Sequence, residues 1–190
     1  MIRSLLLLKS LILIEQSQII MPINEEEKMH GAAVLRLLEE LGNVLPVINF
    51  SLRTGESRNC YHLLGQRPAN LGKGKQIAIG LFIKISTNRR SPWGDSFRKD
   101  HQDEILNLKE KFGECFTVFV TGNDGFAALS FAELKEILDE EHEAQEWVSI
   151  SRKTKQGYRV TGNDGLREKV LAQNAFPKSI VNFFKDAFIQ

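Results

Sequence analysis

A chain of 190 residues that is 42% hydrophobic and 26% charged has the composition of one globular domain with room for a real core, which excludes a disordered or fibrous chain. Its net charge of +1 excludes a global polyelectrolyte, and its two cysteines, Cys60 and Cys115, lack metal-ligand spacing and read as reduced thiols. No run is apolar for long enough to span a membrane, so the expected location is the cytoplasm.

In chain order, residues 1–23 form an apolar extension. Arg3 followed by leucines imitates a secretory signal, but Lys9 interrupts the run, Glu15 follows it, and no small-x-small cleavage site is present. The segment is read as docking on the domain or a partner, or as the product of an upstream start, with Met21 and Met29 as alternative starts. Residues 24–190 are read as a single α+β domain. A first helix opens with Asn24 as cap and Glu27 three residues on, carries Met29, Ala33, Leu37 and Leu41 at a spacing of four, and ends at Gly42. Two β-prone runs follow, 47–53 and 59–65, then a basic loop at 66–75.

The run 76–87 predicts a central strand. Ile77, Ile79, Leu81, Ile83 and Ile85 alternate onto one face, and Ala78, Gly80, Phe82 and Lys84 take the other. It leaves the sheet through a polar loop holding Arg89, Arg90, Pro92, Trp93 and Asp95. A helix over 100–112 stops at Gly113, and a strand over 115–121 turns at Asn123-Asp124-Gly125 into a strand over 126–129. Ser130 and Glu133 form a second capping box, with Leu129 and Leu134 placed as a hydrophobic staple, and the helix is expected to continue into the acidic stretch 133–146. A hairpin of 146–152 and 158–161 precedes two terminal helices, the last with Pro177 in its first turn and Ile180, Phe184 and Phe188 inward. The order α-β-β-β-α-β-β-α-β-β-α-α predicts an α+β fold with a single mixed sheet flanked by helices.

One hexapeptide, Val-Thr-Gly-Asn-Asp-Gly, occurs at 120–125 and again at 160–165. It reads as the same turn chemistry used twice, the second copy leading into a helix capped by Asp164. A sharper reading brings Asp124 and Asp164 together as a cation site.

Charge is polarised along the chain. Arg53, Arg58, Arg67, Lys73, Lys75, Lys84, Arg89 and Arg90 face a single acid, Glu56, whereas seven acids between 133 and 146 face only Lys135. The basic half suits an anionic partner, and two solvated faces are the plain alternative. Arg89, Arg90 and Trp93 combine charge for phosphates with a ring for bases, unless Trp93 pins the loop to the core. Trp147, in a strand, is expected in the core. The set Arg53, Arg58, Lys73, Lys75, Lys84, Arg89, Arg90 and Trp93 is therefore the candidate nucleic-acid surface. The catalytic candidates are Lys84, Asp95, His101 and Asp103. Lys84 is either a phosphate contact or a snorkelling strand lysine, and His101, flanked by carboxylates, is either a general base or part of a solvated first turn. No metal-ligand spacing of His or Cys is present.

The order α-β-β-β-α-β over residues 25–121, with Lys84 on its third strand, resembles the PD-(D/E)XK nuclease family. The resemblance implies an acid on the first helix, at Glu39 or Glu40, an Asp at the second strand, and an acid two residues before the strand lysine, the acids holding Mg²⁺. Asn59 and Phe82 occupy the second and third of these positions. The acids would then have to come from elsewhere, Glu56, Asp95, Asp100 or Asp103, or the core serves binding alone. The leading expectation is nucleic-acid binding on a degenerate nuclease-like core, without enzymatic activity and without a resident cofactor. The alternatives are a protein-interaction or self-assembling module, docking through the acidic stretch and the apolar extension, and a phosphodiesterase using a divalent metal.

Overall fold

The computed structural model describes residues 22–189 apart from Glu56, Gly72 and Lys73. The apolar extension (all but its last two residues), Glu56 and Lys73 thus lie outside the described residues. Helix α1 (Glu25–Val44) starts with the expected capping box: Asn24 Oδ1 accepts from the Glu27 amide at 2.8 Å and Glu27 accepts from the Asn24 amide at 2.9 Å. It runs past Gly42 to Val44. Strands β1 (Asn49–Thr54), β2 (Cys60–Gln66) and β3 (Gln76–Ile85) form an antiparallel meander. After β4 (Trp93–Arg98) and helix α2 (Lys99–Phe112), β5 (Cys115–Val120) returns parallel to β3 and pairs with β6 (Phe126–Ser130). A short helix α3 (Phe131–Leu134), the hairpin β7 (Gln145–Ser151) and β8 (Arg159–Gly162), and the terminal helix α4 (Ala175–Ile189) complete the chain.

The α+β class and the broad element order match the expectation, but the single sheet divides in two. Five strands lie in the order β1-β2-β3-β5-β6, and β4, β7 and β8 form a separate three-stranded antiparallel sheet. The large sheet separates two cores. Ile79, Leu81 and Ile83 pack with Ala33, Leu37 and Leu41 of α1 and with Ile180, Phe184 and Phe188 of α4. Phe82, one step out of phase, packs with Ile105 and Leu108 of α2 and with Trp93, Phe97, Val148 and Ile150 of the small sheet. The two-residue alternation of β3 thus decides which layer each side chain holds. Gly80 admits α2 at close range, because a Cβ there would lie 2.6 Å from Leu108 Cβ.

Three expectations need correction. The loop after β3 does not stay irregular: from Trp93 onward it is β4, with Trp93, Asp95 and Phe97 inward and Gly94, Ser96 and Arg98 outward. The helix opened by Ser130 ends at Leu134 instead of continuing to 146. Glu136, Asp139, Glu140 and Glu143 would stack like charges at i,i+3 and i,i+4, which opposes a helix. Finally, one terminal helix closes the chain, not two. Residues 163–174 form turns and the isolated bridges Thr161–Leu166 and Tyr158–Leu171, and Asp164 caps no helix.

The two hexapeptides fold differently. In the first, Gly122 (φ 57°) and Gly125 (φ 143°) supply left-handed backbone for the β5–β6 turn. In the second, neither glycine has positive φ, and each leaves room for another backbone: a Cβ would meet the Ile137 carbonyl at Gly162 and the Glu136 carbonyl at Gly165. Asp124 is held by Arg152 and by the Tyr158 hydroxyl, which donates at 2.9 Å, whereas Asp164 accepts from the Asp139 amide at 2.9 Å. The two acids serve separate neighbours and do not form a shared cation site.

Candidate functional site

Because β3 and β5 are parallel and in register at Ile85 and Val120, their chains leave the sheet side by side. The loop after β3, the turn after β5 and the first turn of α1 enclose a cleft of about 730 Å³ above these strand ends. Crevices at the carboxyl ends of parallel strands are where ligands commonly bind in α/β sheets. Glu26 from α1, Asn59 before β2, Lys84 from β3, Arg89 from the following loop and Asn123 from the turn line it. Glu39 and Glu40 lie toward the other end of α1; the α1 acids at the cleft are Glu25 and Glu26.

Lys84 is half-buried on the α2 side of the sheet. Its Nζ lies 3.2 Å from His101 Nδ1 and 5.3 Å from the centroid of the Phe97 ring. His101 Nδ1 also accepts from the Arg98 amide at 3.4 Å as part of the α2 cap. His101 Nε2 lies 3.4 Å from an Arg98 guanidinium nitrogen, so donors face both ring nitrogens. Asp95 enters the same region from β4, flanked on its strand face by Trp93 and Phe97. It is 9% exposed, and its buried Oδ2 has no hydrogen-bond partner.

Electrostatics bias all three groups toward their neutral forms. Burial pushes the Asp95 carboxyl up to about 6, against the pull of the Lys84 charge. Burial lowers Lys84, with Asp95 the strongest opposing influence. Burial lowers His101 as well, and the Lys84 charge adds to it. Perturbed titratable groups gathered beside a cleft make it a candidate functional site. Of the four catalytic candidates, Lys84, Asp95 and His101 come together. Asp103 does not: it is exposed, two residues beyond His101 and on another face of α2. Glu104, three residues past His101, faces the cluster instead and accepts from the Cys60 thiol at 3.5 Å. Helical i,i+3 spacing was the signal that could have picked it out.

The basic surface also rearranges in space. Arg89 lines the main cleft, and with Arg90, Arg152 and Asn123 it lines an adjoining groove of about 310 Å³. Arg58 is exposed beside Asn59, and Arg53 is exposed on β1, opposite His62. Lys75 and Arg67 lie at the other end of β3, roughly 30 Å from Lys84 along a ten-residue strand. There Lys75 donates to the Ala187 carbonyl and Arg67 to the Phe188 carbonyl, satisfying the last turn of α4. The basic stretch is therefore two separate poles, and only the one around Lys84, Arg89 and Arg90 borders the cleft.

Of the two readings of Trp93, the structure takes the one in which it pins its loop to the core, whereas Trp147 leaves its expected place. Trp93 is 3% exposed and packs edge-on against Tyr158, with ring centroids 6.2 Å apart, so its ring is closed to a base. Trp147, expected in the core, is 47% exposed on the outer face of the small sheet. The strand period places it there, since Glu146, Val148 and Ile150 take the inward positions.

One acidic trio, Asp139, Glu146 and Asp164, has ligand atoms within 4.8 Å of one another. Its needs are met by the protein: Glu146 accepts from Gln102 at 2.7 Å and from the Glu143 amide at 3.1 Å, and the Lys135 ammonium faces the group. Among the described residues, no helix is long and apolar enough to cross a membrane. No protein-family model, curated protein or solved structure matches the chain.

Proposed function

We propose that this chain binds nucleic acid, taking backbone phosphates at the cleft above β3 and β5, and that it binds without cutting. The observation that carries the reading is the convergence of Lys84 and Arg89 on one cleft that continues into the Arg90–Arg152 groove. Cations on a concave, partly desolvated surface suit phosphates, and asparagine amides at Asn59 and Asn123 add neutral donors.

The nuclease-like reading draws support from the topology: a helix, a three-strand meander, a crossover containing a helix, and a strand parallel to the third. The donor set does not fit the family's Mg²⁺. Phe82, fully buried, stands where the strand acid belongs, Asn59 brings an amide, and the cleft's acids, Glu25 and Glu26, come from α1 alone, Glu25 already paired with Lys28. Asp95, on another strand, is near enough to Lys84 for their charges to interact, but its Oδ2 is sealed from solvent. A metal bridging two phosphate oxygens needs converging carboxylates, so no cleavage step is assigned.

Fluorescence anisotropy with labelled oligonucleotides at low salt tests the reading. The wild-type chain is expected to bind, with affinity falling steeply as salt rises. The double variant Arg89→Ala/Arg90→Ala is expected to lower the slope of log K against log salt by about one to two. Absence of binding at low salt, or an unchanged slope, rejects the proposal.

A further inference from the structure

Resting on the nucleic-acid reading, we infer that the outer face of the small sheet is a stacking platform for an unpaired base, which makes single-stranded nucleic acid the preferred partner. The platform is Trp147. Across the sheet its neighbour is Ser96, and the next row on the same face is Gly94, Ser149 and Thr161. These small side chains leave the ring standing proud. A Cβ added at Gly94 would meet nothing within 4 Å, so this face is uncovered. Trp147 is 47% exposed, and a flat aromatic ring on an open sheet is how several folds hold unstacked bases.

Charge decides the occupant. From Trp147 the strand leads through Ser149 and Ser151 to Arg152, about 17 Å away at strand rise, in a groove lined by Arg89, Arg90 and the Arg152–Asp124 pair. Exposed Arg159 sits opposite Ser151 on the same face. A short single strand lying along β7 would place phosphates at the exposed Arg90 and Arg159, Arg152 being paired with Asp124, and a base on Trp147. A duplex keeps its bases stacked and offers the ring nothing. A second copy of the chain fits poorly, because the face is mainly serine, threonine and glycine around one indole, whereas stable interfaces bury an apolar centre of several hundred Å² per partner.

The test uses full-length protein and a matched pair of oligonucleotides, one single-stranded and one duplex. Trp93 is buried, so quenching of tryptophan emission by the single strand reports on Trp147. Trp147→Ala is expected to weaken single-strand binding about tenfold, the size of one base–aromatic stack, and to leave duplex binding unchanged. Trp147→Phe is expected to recover most of the loss. An exposed side chain is a poor lever on stability, and circular dichroism checks that both variants fold. If Trp147→Ala binds the single strand like wild type while Arg89→Ala/Arg90→Ala still weakens it, the platform is wrong and the cleft reading stands. If light scattering shows a wild-type dimer that Trp147→Ala dissolves, a second copy covers this face and the inference is overturned. If wild type binds neither oligonucleotide, both readings fall together.

Discussion

Arg167 and Lys84 are both cations withdrawn from water, and the protein treats them in opposite ways. The Arg167 side chain is 5% exposed and held by two acids: its guanidinium donates to Glu133 and to the Lys169 carbonyl, and its Nε, which makes no hydrogen bond, lies 3.6 Å from Glu136. Lys84, half-buried, has no carboxylate at ion-pair distance among the described residues. Its closest polar partner is a neutral imidazole, and the nearby Asp95 keeps an oxygen with no partner. Arg167 ties the segment after β8 to α3, which is a structural task. Lys84 is left under-satisfied beside a cleft, which costs stability and leaves its charge open to an incoming anion.

Removing each group in turn breaks or sharpens this contrast. Arg167→Ala should have the largest effect, a destabilisation of about 3 kcal/mol, because it removes a buried cation and its charged hydrogen bonds and leaves the part-exposed Glu133 unpaired. Urea denaturation measures it, and a change below about 1 kcal/mol would remove the distinction. Asp95→Asn should act in the opposite direction. A carboxyl titrating at about 6 when folded and near 3.9 when unfolded holds more protons in the folded state between these values. Stability from this group is therefore full below about pH 4 and is lost as pH rises through about 6. The variant should be more stable than wild type by on the order of 1–3 kcal/mol at pH 8 and equal to it at pH 4. Thermal melts across that range read the crossover, and equal gains at both pH values would count against it.

Lys84→Met should change stability by about 1 kcal/mol or less, with a small gain as the expected sign, since no ion pair is broken. The same variant should lose most low-salt oligonucleotide binding, so stability and binding part company at this position. Smallest of all, Arg89→Ala/Arg90→Ala should leave stability within about 0.5 kcal/mol, both residues being exposed, while moving the salt slope. A large drop in its melting temperature would mean these arginines hold the loop and not a ligand.

Much of the scaffold was legible because its signals are local. Asn24 with Glu27 and Ser130 with Glu133 form both capping boxes as read, and the alternation along β3 sorts its side chains between two cores as read. β4 escaped because one of its three inward residues is Asp95, which breaks the apolar alternation at the very position of chemical interest. The contact of Lys84 with His101 joins a strand to a helix seventeen residues on, and no period in the chain encodes it. Trp147 was misplaced, and Trp93 was left with two readings, for the same reason: a strand pattern says that two faces differ, but a second layer decides which one is covered.

The twin hexapeptides carry a consequence for how this chain can drift. At Gly122 the demand is for handedness, and asparagine or aspartate, which visit that conformation, are tolerable heirs. At Gly162 and Gly165 the demand is for vacancy, since the carbonyls of Ile137 and Glu136 occupy the space of any side chain, and no heir exists without moving a neighbouring backbone. Lineages that keep this fold should therefore lose the glycine at 122 before those at 162 and 165, until the two stretches no longer look alike.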